Sequence, residues 1–372
     1  MIDRFEILGA GSARPDADRI LFCDGTDDRL FRAETDLELS HWRPNCTPTE
    51  FRADTSTEIC FRFLDQPRTG PWTVAVNNHV DVDGILSVYV LLHSEPAEAW
   101  RTTIVQAAEM GDFWGWGEPP AQRLFQGLTR LIAAVGIDRQ IYAHAFERIP
   151  DFIEGTDPDS VQIDDSLAPL RHAVELVETG QIVRTELGPR LAHYVIPRSV
   201  AEQANAPLVP PRGNPPSPTA YVPEFNELIS PKALLWPQAR ARWDAERVCL
   251  VSTEHQNGWF HDLWFPGHHW ADTEQLWRVP GLNFCDGMRH YQFDDPAWIS
   301  AFEELQRQEH QRSPRPGEQT TVVKAWGLGG TRLPYGDELQ PKFPLVGRFM
   351  DQHGQPALSQ LSPAQVAALL PV

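Results

Sequence analysis

Residues 72–87 read WTVAVNNHVDVDGILS and combine a strand pattern, a polar loop and a helix pattern. Its first five residues are mostly β-branched and apolar, which predicts a buried strand, whereas residues 85–93 predict a buried helix. A strand that leads through a polar loop into a helix is typical of a parallel sheet with helices on its faces. Because ligands of such sheets bind beyond the carboxyl ends of the strands, the loop is the first candidate for a functional site.

The flanking sequence repeats the same alternation of strands and helices. Residues 19–23 (RILFC) predict another strand, and residues 97–110 and 120–135 predict helices. This order predicts an α/β fold class, with a parallel-sheet N-terminal lobe that carries the acidic loop.

A proline-rich stretch divides the chain in two. Residues 207–218 read PLVPPRGNPPSP, which excludes a helix or a central strand because proline lacks the amide donor. We therefore predict an N-terminal lobe over residues 1–206, a linker over 207–218 and a C-terminal lobe over 219–372. Strand-like residues 247–252 and helix-like residues 298–311 predict that the C-terminal lobe is a smaller α+β unit.

Charge and cysteine content exclude several classes of function. The formal net charge is -19, from 32 basic and 51 acidic residues, which disfavours binding to duplex nucleic acid or to anionic membranes. The longest apolar run, residues 85–92, is too short to span a bilayer. Five cysteines without CxxC spacing indicate reduced thiols and a cytoplasmic location rather than a disulfide framework.

The acidic loop has the chemistry of a metal site. His79, Asp81 and Asp83 stand at alternate positions, so their side chains can converge on a divalent cation. Carboxylate oxygens suit Mg²⁺ or Mn²⁺, and the imidazole shifts the preference towards Mn²⁺. The helix N-terminus beyond Gly84 can hold an anion such as phosphate.

The acidic loop also resembles two other kinds of loop. An EF-hand needs an acidic first ligand and a glutamate at the twelfth position, but here these positions are His79 and Val90. A simple turn with helix-capping aspartates stays open as an alternative, since Asp-Gly is a common turn dipeptide.

The string HVDVDGILS, residues 79–87, resembles the first motif of the DHH phosphoesterase superfamily, and the loop also resembles that of an uncharacterised bacterial family. The superfamily resemblance implies a two-lobed protein that uses Mn²⁺ or Mg²⁺ to hydrolyse phosphodiester or phosphoanhydride bonds. It implies that His79, Asp81 and Asp83 are metal ligands with catalytic roles. The family's second motif is a lone aspartate, for which Asp112 is the candidate fourth ligand.

Other family motifs are only partly present. The Asp-His-His motif is absent from residues 140–205, and the adjacent histidines of the chain are His268 and His269. The family's glycine-rich substrate loop is echoed by residues 327–332 (GLGGTR). We expect Arg332 or Lys324 to clamp a substrate phosphate, because guanidinium and ammonium groups bind phosphate oxygens.

Two further segments carry candidate site residues. His41 and Asp54 could supply the ligands that the missing motif would have given. Residues 261–274 (HDLWFPGHHWADTE) could bind metal or phosphate through His268 and His269, and Trp264 and Trp270 could stack on a base. Packing of an aromatic loop is the alternative for the second segment.

These patterns lead to two hypotheses about function. The first is a metal-dependent phosphoesterase-like hydrolase that acts on a small phosphorylated molecule. The second is a non-catalytic ligand-binding protein that retains the DHH-like fold but has lost catalytic ligands.

Overall fold

A computed structural model of the chain shows a mixed α/β protein with a parallel sheet in its N-terminal region and a separate mixed sheet in its C-terminal part. The predicted fold class is therefore confirmed. The structure describes residues 2, 4–9, 11–25, 29–42, 45–67, 72, 74–135, 140–203, 221–255, 258–274, 282–285, 290–293, 296–312, 321–322, 326–327, 345–350 and 358–371.

The N-terminal sheet has four described strands: β1 (Arg4–Ile7), β2 (Ile20–Cys23), β3 (Leu37–Leu39) and β4 (Val74–Asn77). Their order is β1-β4-β2-β3, and each neighbouring pair is parallel. Parallel strands end at the same edge of a sheet, so the residues that follow β2, β3 and β4 meet there.

Seven helices are described in the same part of the chain: α1 (Ser56–Asp65), α2 (Val82–Leu92), α3 (Ser94–Ala99), α4 (Arg101–Asp112), α5 (Pro119–Val135), α6 (Gln140–Glu154) and α7 (Ser160–Ser166). The central helix α2 is buried from Val82 to Leu91 and packs against α1 and α4. Its apolar residues cover all sides of the helix, which explains why it lies in the interior.

The C-terminal part contains the following described elements: α8 (Ala168–Glu178), β5 (Val183–Gly188), β6 (Leu191–Ile196), α9 (Arg198–Ala201), α10 (Pro237–Asp244), β7 (Val248–His255), β8 (Gly258–Trp264), β9 (Leu282–Cys285), β10 (His290–Phe293), α11 (Pro296–Arg312), β11 (Thr321–Val322), β12 (Trp326–Gly327), β13 (Leu345–Met350) and α12 (Pro363–Ala367). The strand order is β11-β13-β8-β7-β6-β5, with β12 on β13. Only the β6–β7 pairing is parallel among these described strands.

Two units are distinguished by their internal contacts. The first comprises Met1–Leu167, Asn226–Leu228 and Trp270–Trp277, and the second comprises the rest of the chain. The predicted linker, residues 207–218, lies outside the described residues. The predicted lobe boundaries therefore stay a prediction.

None of the described helices is both long enough and apolar enough to cross a lipid bilayer.

Candidate functional site

Polar side chains converge at the carboxyl edge of the parallel sheet. Six residues form this cluster: Asp24 after β2, His41 after β3, His79 and Asp81 after β4, Asp83 in the first turn of α2, and Asp112 at the end of α4. All are buried except His79, which is partly exposed.

The acidic loop is shaped by its own side chains. The Asn77 Oδ1 atom accepts the backbone N–H of Asn78 at 2.6 Å and that of His79 at 3.1 Å, which turns the chain out of β4. Asp81 is the N-cap of α2, and its Oδ1 accepts the N–H of Gly84 at 2.7 Å. Because this cap forms, α2 begins at Val82, three residues before the predicted start.

Asp81 combines this capping role with a place in the polar cluster. Its second oxygen, Oδ2, lies 3.0 Å from the His79 Nε2 atom. The His79 Nδ1–H donates to the Asn78 Oδ1 at 2.8 Å, and this fixes the ring orientation. The capping interpretation is therefore correct for one Asp81 oxygen and leaves the other for a ligand.

Asp83 is anchored to the N-terminus of α1. Its two carboxylate oxygens accept the backbone N–H groups of Ser56 at 2.8 Å and of Thr57 at 2.9 Å. These N–H groups have no partner within their own helix, and the helix dipole favours a negative charge there. The Oδ2 atom of Asp83 also lies 3.6 Å from the His41 Nε2.

Asp24 is the residue that links the two sides of the cluster. Its φ is 45°, in the left-handed region that non-glycine residues rarely adopt. The Oδ1 atom accepts the Trp42 Nε1–H at 2.8 Å and the Ser56 hydroxyl at 2.9 Å, and it lies 3.7 Å from the His41 Nε2. The Oδ2 atom lies 3.0 Å from the His79 Nε2.

Two sets of three potential metal ligands share Asp24. We call Asp24, His79 and Asp81 the outer triad, and Asp24, His41 and Asp83 the inner triad; within each, the ligand atoms lie within 4.8 Å of one another. The outer triad reaches the surface, since the His79 side chain is 29% exposed. The inner triad is fully buried.

Asp112 contacts one member of the inner triad, His41, and belongs to neither of the two ligand groups found among the described residues. Its Oδ2 lies 3.2 Å from the His41 Nε2, while the His41 Nδ1–H donates to the backbone oxygen of Asp54 at 2.5 Å. A hydrogen bond of this kind orients a metal-binding histidine so that its other nitrogen faces the cation.

The inner region contains buried polar atoms that lack hydrogen bonds. Among the described residues, the His41 Nε2 and both Asp112 carboxylate oxygens have no hydrogen-bond partner of acceptable geometry. Unsatisfied buried polar atoms are rare in folded proteins, and an ion that binds them is one explanation. The donor set, imidazole nitrogen with carboxylate oxygens, fits Mn²⁺ or Mg²⁺.

The two histidines carry the positive charge of the cluster. Burial alone would lower the pKa of His41, but Asp112 and Asp83 outweigh it and raise the pKa to about 10. Burial likewise disfavours protonation of His79, yet the charges of Asp81 and Asp24 raise its pKa well above the usual value. Each triad thus holds one imidazolium where a cation could bind.

The carboxyl groups respond to the same charges in different ways. Burial raises the pKa of Asp24, but the charge of His79 outweighs it and lowers that pKa to about 2. Burial and the charge of Asp24 raise the pKa of Asp83 to about 6. Burial and the charge of Asp83 raise the pKa of Asp112 well above its usual range. The crowded carboxylates therefore need compensating positive charge.

The other residues proposed from the sequence have different locations. Arg332 and Lys324 lie outside the described residues. His268 and His269 belong to the 3-10 helix Gly267–Trp270, and the side chain of His269 is not described. The ligand groups found among the described residues do not include His268.

Two tryptophans proposed as stacking platforms are buried. Trp264 is 5% exposed and Trp270 is 0% exposed, so neither ring can stack on a base from solution. Packing, the alternative interpretation, explains both rings.

Sequence reasoning missed the role of Asp24 and named His41 only as a substitute ligand. A signal for Asp24 was present, because it directly follows the predicted strand 19–23. The carboxyl ends of parallel strands share one edge, so an aspartate there was a candidate. Asp54, the companion of His41 in that proposal, contributes its backbone oxygen to His41, and its carboxylate accepts the N–H of Glu274 at 3.2 Å.

Comparison with known protein families finds a match in the N-terminal part of the chain. Residues 12–136 are similar to the model of a family of unknown function (DUF6687), and this segment contains all six residues of the polar cluster. Comparisons with curated proteins and with solved structures found no match.

Proposed function

We propose that the protein is a Mn²⁺- or Mg²⁺-dependent phosphoesterase-like hydrolase that acts on a small phosphodiester or phosphoanhydride. The observation that carries this proposal is the position of Asp24. Its Oδ1 atom faces His41 of the inner triad, and its Oδ2 atom faces His79 of the outer triad. A carboxylate that bridges two cations is the typical arrangement of two-metal hydrolytic sites. Membership of the DHH superfamily is part of the same proposal.

The residues have distinct roles in this proposal. His79 and Asp81 would hold an exposed cation, His41, Asp83 and Asp112 would hold a buried one, and Asp24 would contribute a carboxylate oxygen to each. When bound, the cations supply Lewis-acid stabilisation of phosphate charge and lower the pKa of an attacking water. The partly exposed His79 marks the side from which a phosphorylated substrate reaches the site.

Substrate binding beyond the triads is assigned to basic residues. Arg332 and Lys324 are proposed to clamp the phosphate, since charge-assisted hydrogen bonds to phosphate oxygens are strong. We also propose a cytoplasmic location. The four cysteines with described side chains, Cys23, Cys46, Cys60 and Cys249, are free thiols, which fits a reducing compartment.

A matched pair of variants tests the hydrolase proposal. Asp24→Asn removes the charge shared by the two triads. Asp36→Asn changes another buried aspartate, which pairs with Arg14 at 2.6 Å and lies immediately before β3 rather than in the cluster. With Mn²⁺ and bis(p-nitrophenyl) phosphate, Asp24→Asn should lower turnover by roughly two orders of magnitude or more, because several kcal/mol of charge stabilisation is lost. Asp36→Asn should keep most of the turnover. Equal turnover of Asp24→Asn and wild type would contradict the proposal.

The second candidate is a non-catalytic, metal-stabilised binding protein. It is favoured by the engagement of Asp81 and Asp83 with helix N-termini, which gives both residues a structural reason to be present. Stoichiometric Mn²⁺ binding without turnover of any phosphodiester or phosphoanhydride would favour this candidate over the hydrolase.

A further inference from the structure

Five residues from the C-terminal half of the sequence, 270–274, lie against the inner triad, and we call them the strap. By its contacts the strap belongs to the first unit, although the residues before and after Trp270–Trp277 belong to the second. The strap is thus a separate element of the site, far from the acidic loop in sequence.

The strap bonds to the backbone that carries the inner ligands. The Trp270 Nε1–H donates to the Asp112 backbone oxygen at 3.1 Å, and the Asp272 N–H donates to the His41 backbone oxygen at 2.7 Å. The Glu274 N–H donates to the Asp54 carboxylate at 3.2 Å, and the Asp54 backbone oxygen orients the His41 ring. Movement of the strap therefore disturbs His41 and Asp112 together.

The strap also covers the inner triad with an aromatic ring. The Trp270 ring centroid lies 5.0 Å from that of His41 and 5.8 Å from that of Phe113, and the residue is fully buried. The inner carboxylates and His41 are likewise fully buried. A cation at the inner triad has no direct contact with solvent on the side of the strap.

Two ion pairs at the surface hold the C-terminal end of the strap, residues 272–274. The Arg62 Nη2 lies 2.7 Å from the Glu274 Oε2, and the Arg52 Nη2 lies 3.3 Å from the Asp272 Oδ2. These pairs are partly exposed, so each contributes little stability to the strap.

We propose that the strap is a gate that retains the inner cation. A cation at the inner triad is released only when the strap detaches, whereas a cation at the outer triad exchanges directly with solvent. This inference rests on the proposed metal centre. It assigns a slowly exchanging cation to the inner triad and a rapidly exchanging cation to the outer triad.

The rate of metal release tests the gate. The full chain is loaded with Mn²⁺ and mixed with excess EDTA, and the change in water-proton relaxation is followed as Mn²⁺ passes from the protein to EDTA. The wild type should release Mn²⁺ in a fast and a slow phase. His79→Ala should remove the fast phase, because that residue belongs to the outer triad only.

Glu274→Gln should accelerate the slow phase by about two- to fivefold, the factor expected from one partly exposed ion pair. Glu98→Gln is the matched control: Glu98 is 58% exposed and paired with Arg101, and Glu274 is 57% exposed and paired with Arg62. It should leave both phases unchanged. Trp270→Phe keeps a ring but loses the bond to Asp112, so it should accelerate the slow phase by more than Glu274→Gln.

The outcomes separate the gate from the metal centre. If the wild type binds no Mn²⁺, the proposed function itself is wrong. Two bound Mn²⁺ released in a single phase, or a slow phase that neither Glu274→Gln nor Trp270→Phe accelerates, would overturn the gate and leave the metal centre in place.

Discussion

Gly84 offers a steric test of the outer triad. In the first turn of α2, a Cβ atom at this position would lie 2.4 Å from the Asn77 Nδ2, 2.9 Å from the Asp24 Oδ2 and 3.1 Å from the Asp81 Oδ1. The first two distances are shorter than real Cβ contacts, so Gly84→Ala must displace Asp24 or its neighbours. One of the three crowded atoms, the Asp24 Oδ2, is a proposed metal ligand, and the Asp81 Oδ1 is the oxygen that caps α2.

Two effects of Gly84→Ala on stability oppose each other. Alanine is favoured over glycine within a helix by about 0.8–1 kcal/mol. Overpacking of a buried site costs about 1–3 kcal/mol. We therefore expect the free energy of unfolding of the metal-free protein to fall by about 0–2 kcal/mol, which leaves the protein folded. Loss of a group that orients a metal ligand typically weakens metal binding by roughly 10–100-fold. We expect Gly84→Ala to lower Mn²⁺ affinity by a factor in that range.

Calorimetric titration with Mn²⁺ and thermal melting without metal measure the two effects. Gly127→Ala in α5 is the control, because its Cβ would lie 2.7 Å from the Phe152 Cδ1, an apolar contact outside the polar cluster. That variant should lose stability but bind Mn²⁺ like the wild type. If Gly84→Ala also binds Mn²⁺ like the wild type, the Asp24 oxygen that faces Gly84 is not a metal ligand.

Three other predictions follow from the charges of the described residues. Mn²⁺ should raise the melting temperature of the wild type by mass action, and Asp81→Asn should reduce this effect while the asparagine still caps α2; an unchanged Mn²⁺ effect in the variant would count against the outer triad. Cation binding should release protons, because His41, with its pKa raised to about 10, and His79 are protonated without metal. Mn²⁺ affinity should therefore weaken as pH falls below 10, and titration in buffers of different ionisation enthalpy should detect at least one proton per cation; zero protons would contradict the assignment. His193 and His261 flank Ser252 at 2.9 Å each, and burial lowers both of their pKa values to about 4. The unfolded chain protonates these histidines near pH 6.5, whereas the folded chain protonates them only near pH 4. The free energy of unfolding is therefore highest above pH 6.5 and decreases as pH falls to 4, by about 3 kcal/mol at most for either residue. His261→Gln should flatten the dependence of unfolding free energy on pH in this window, as measured by urea denaturation, and an unchanged slope would refute the attribution.

The sequence allowed the elements around the acidic loop to be predicted, because the signals there are local. The predicted strand 72–76 corresponds to β4 and the predicted helix 85–93 corresponds to α2. The start of α2 was missed by three residues, since the Asp81 cap depends on the rotamer of one side chain. Asp112 was named from a resemblance, and it lies beside His41.

The remainder of the cluster depends on contacts between residues that are distant in sequence. Asp24 joins the site because β2 lies between β4 and β3 in the sheet, an order that periodicity does not specify. Two of the proposed ligands, Asp24 and His41, follow strands upstream of the acidic loop, whereas the missing Asp-His-His motif of the superfamily was expected downstream of it. The strap is separated from the loop by almost 200 residues, and no local pattern indicates that it packs on His41.

The central claim is that Asp24 joins two divalent cations, and a spectrum of the Mn²⁺-loaded protein tests it most directly. Cations that share a carboxylate lie about 3.5–4 Å apart in two-metal sites, which is close enough for their electron spins to couple. We expect two Mn²⁺ per chain, a spin-coupled electron paramagnetic resonance signal in the wild type, and loss of that coupling in Asp24→Asn but not in Asp36→Asn. Binding of no Mn²⁺, or of isolated Mn²⁺ with an uncoupled six-line signal in the wild type, would contradict the claim.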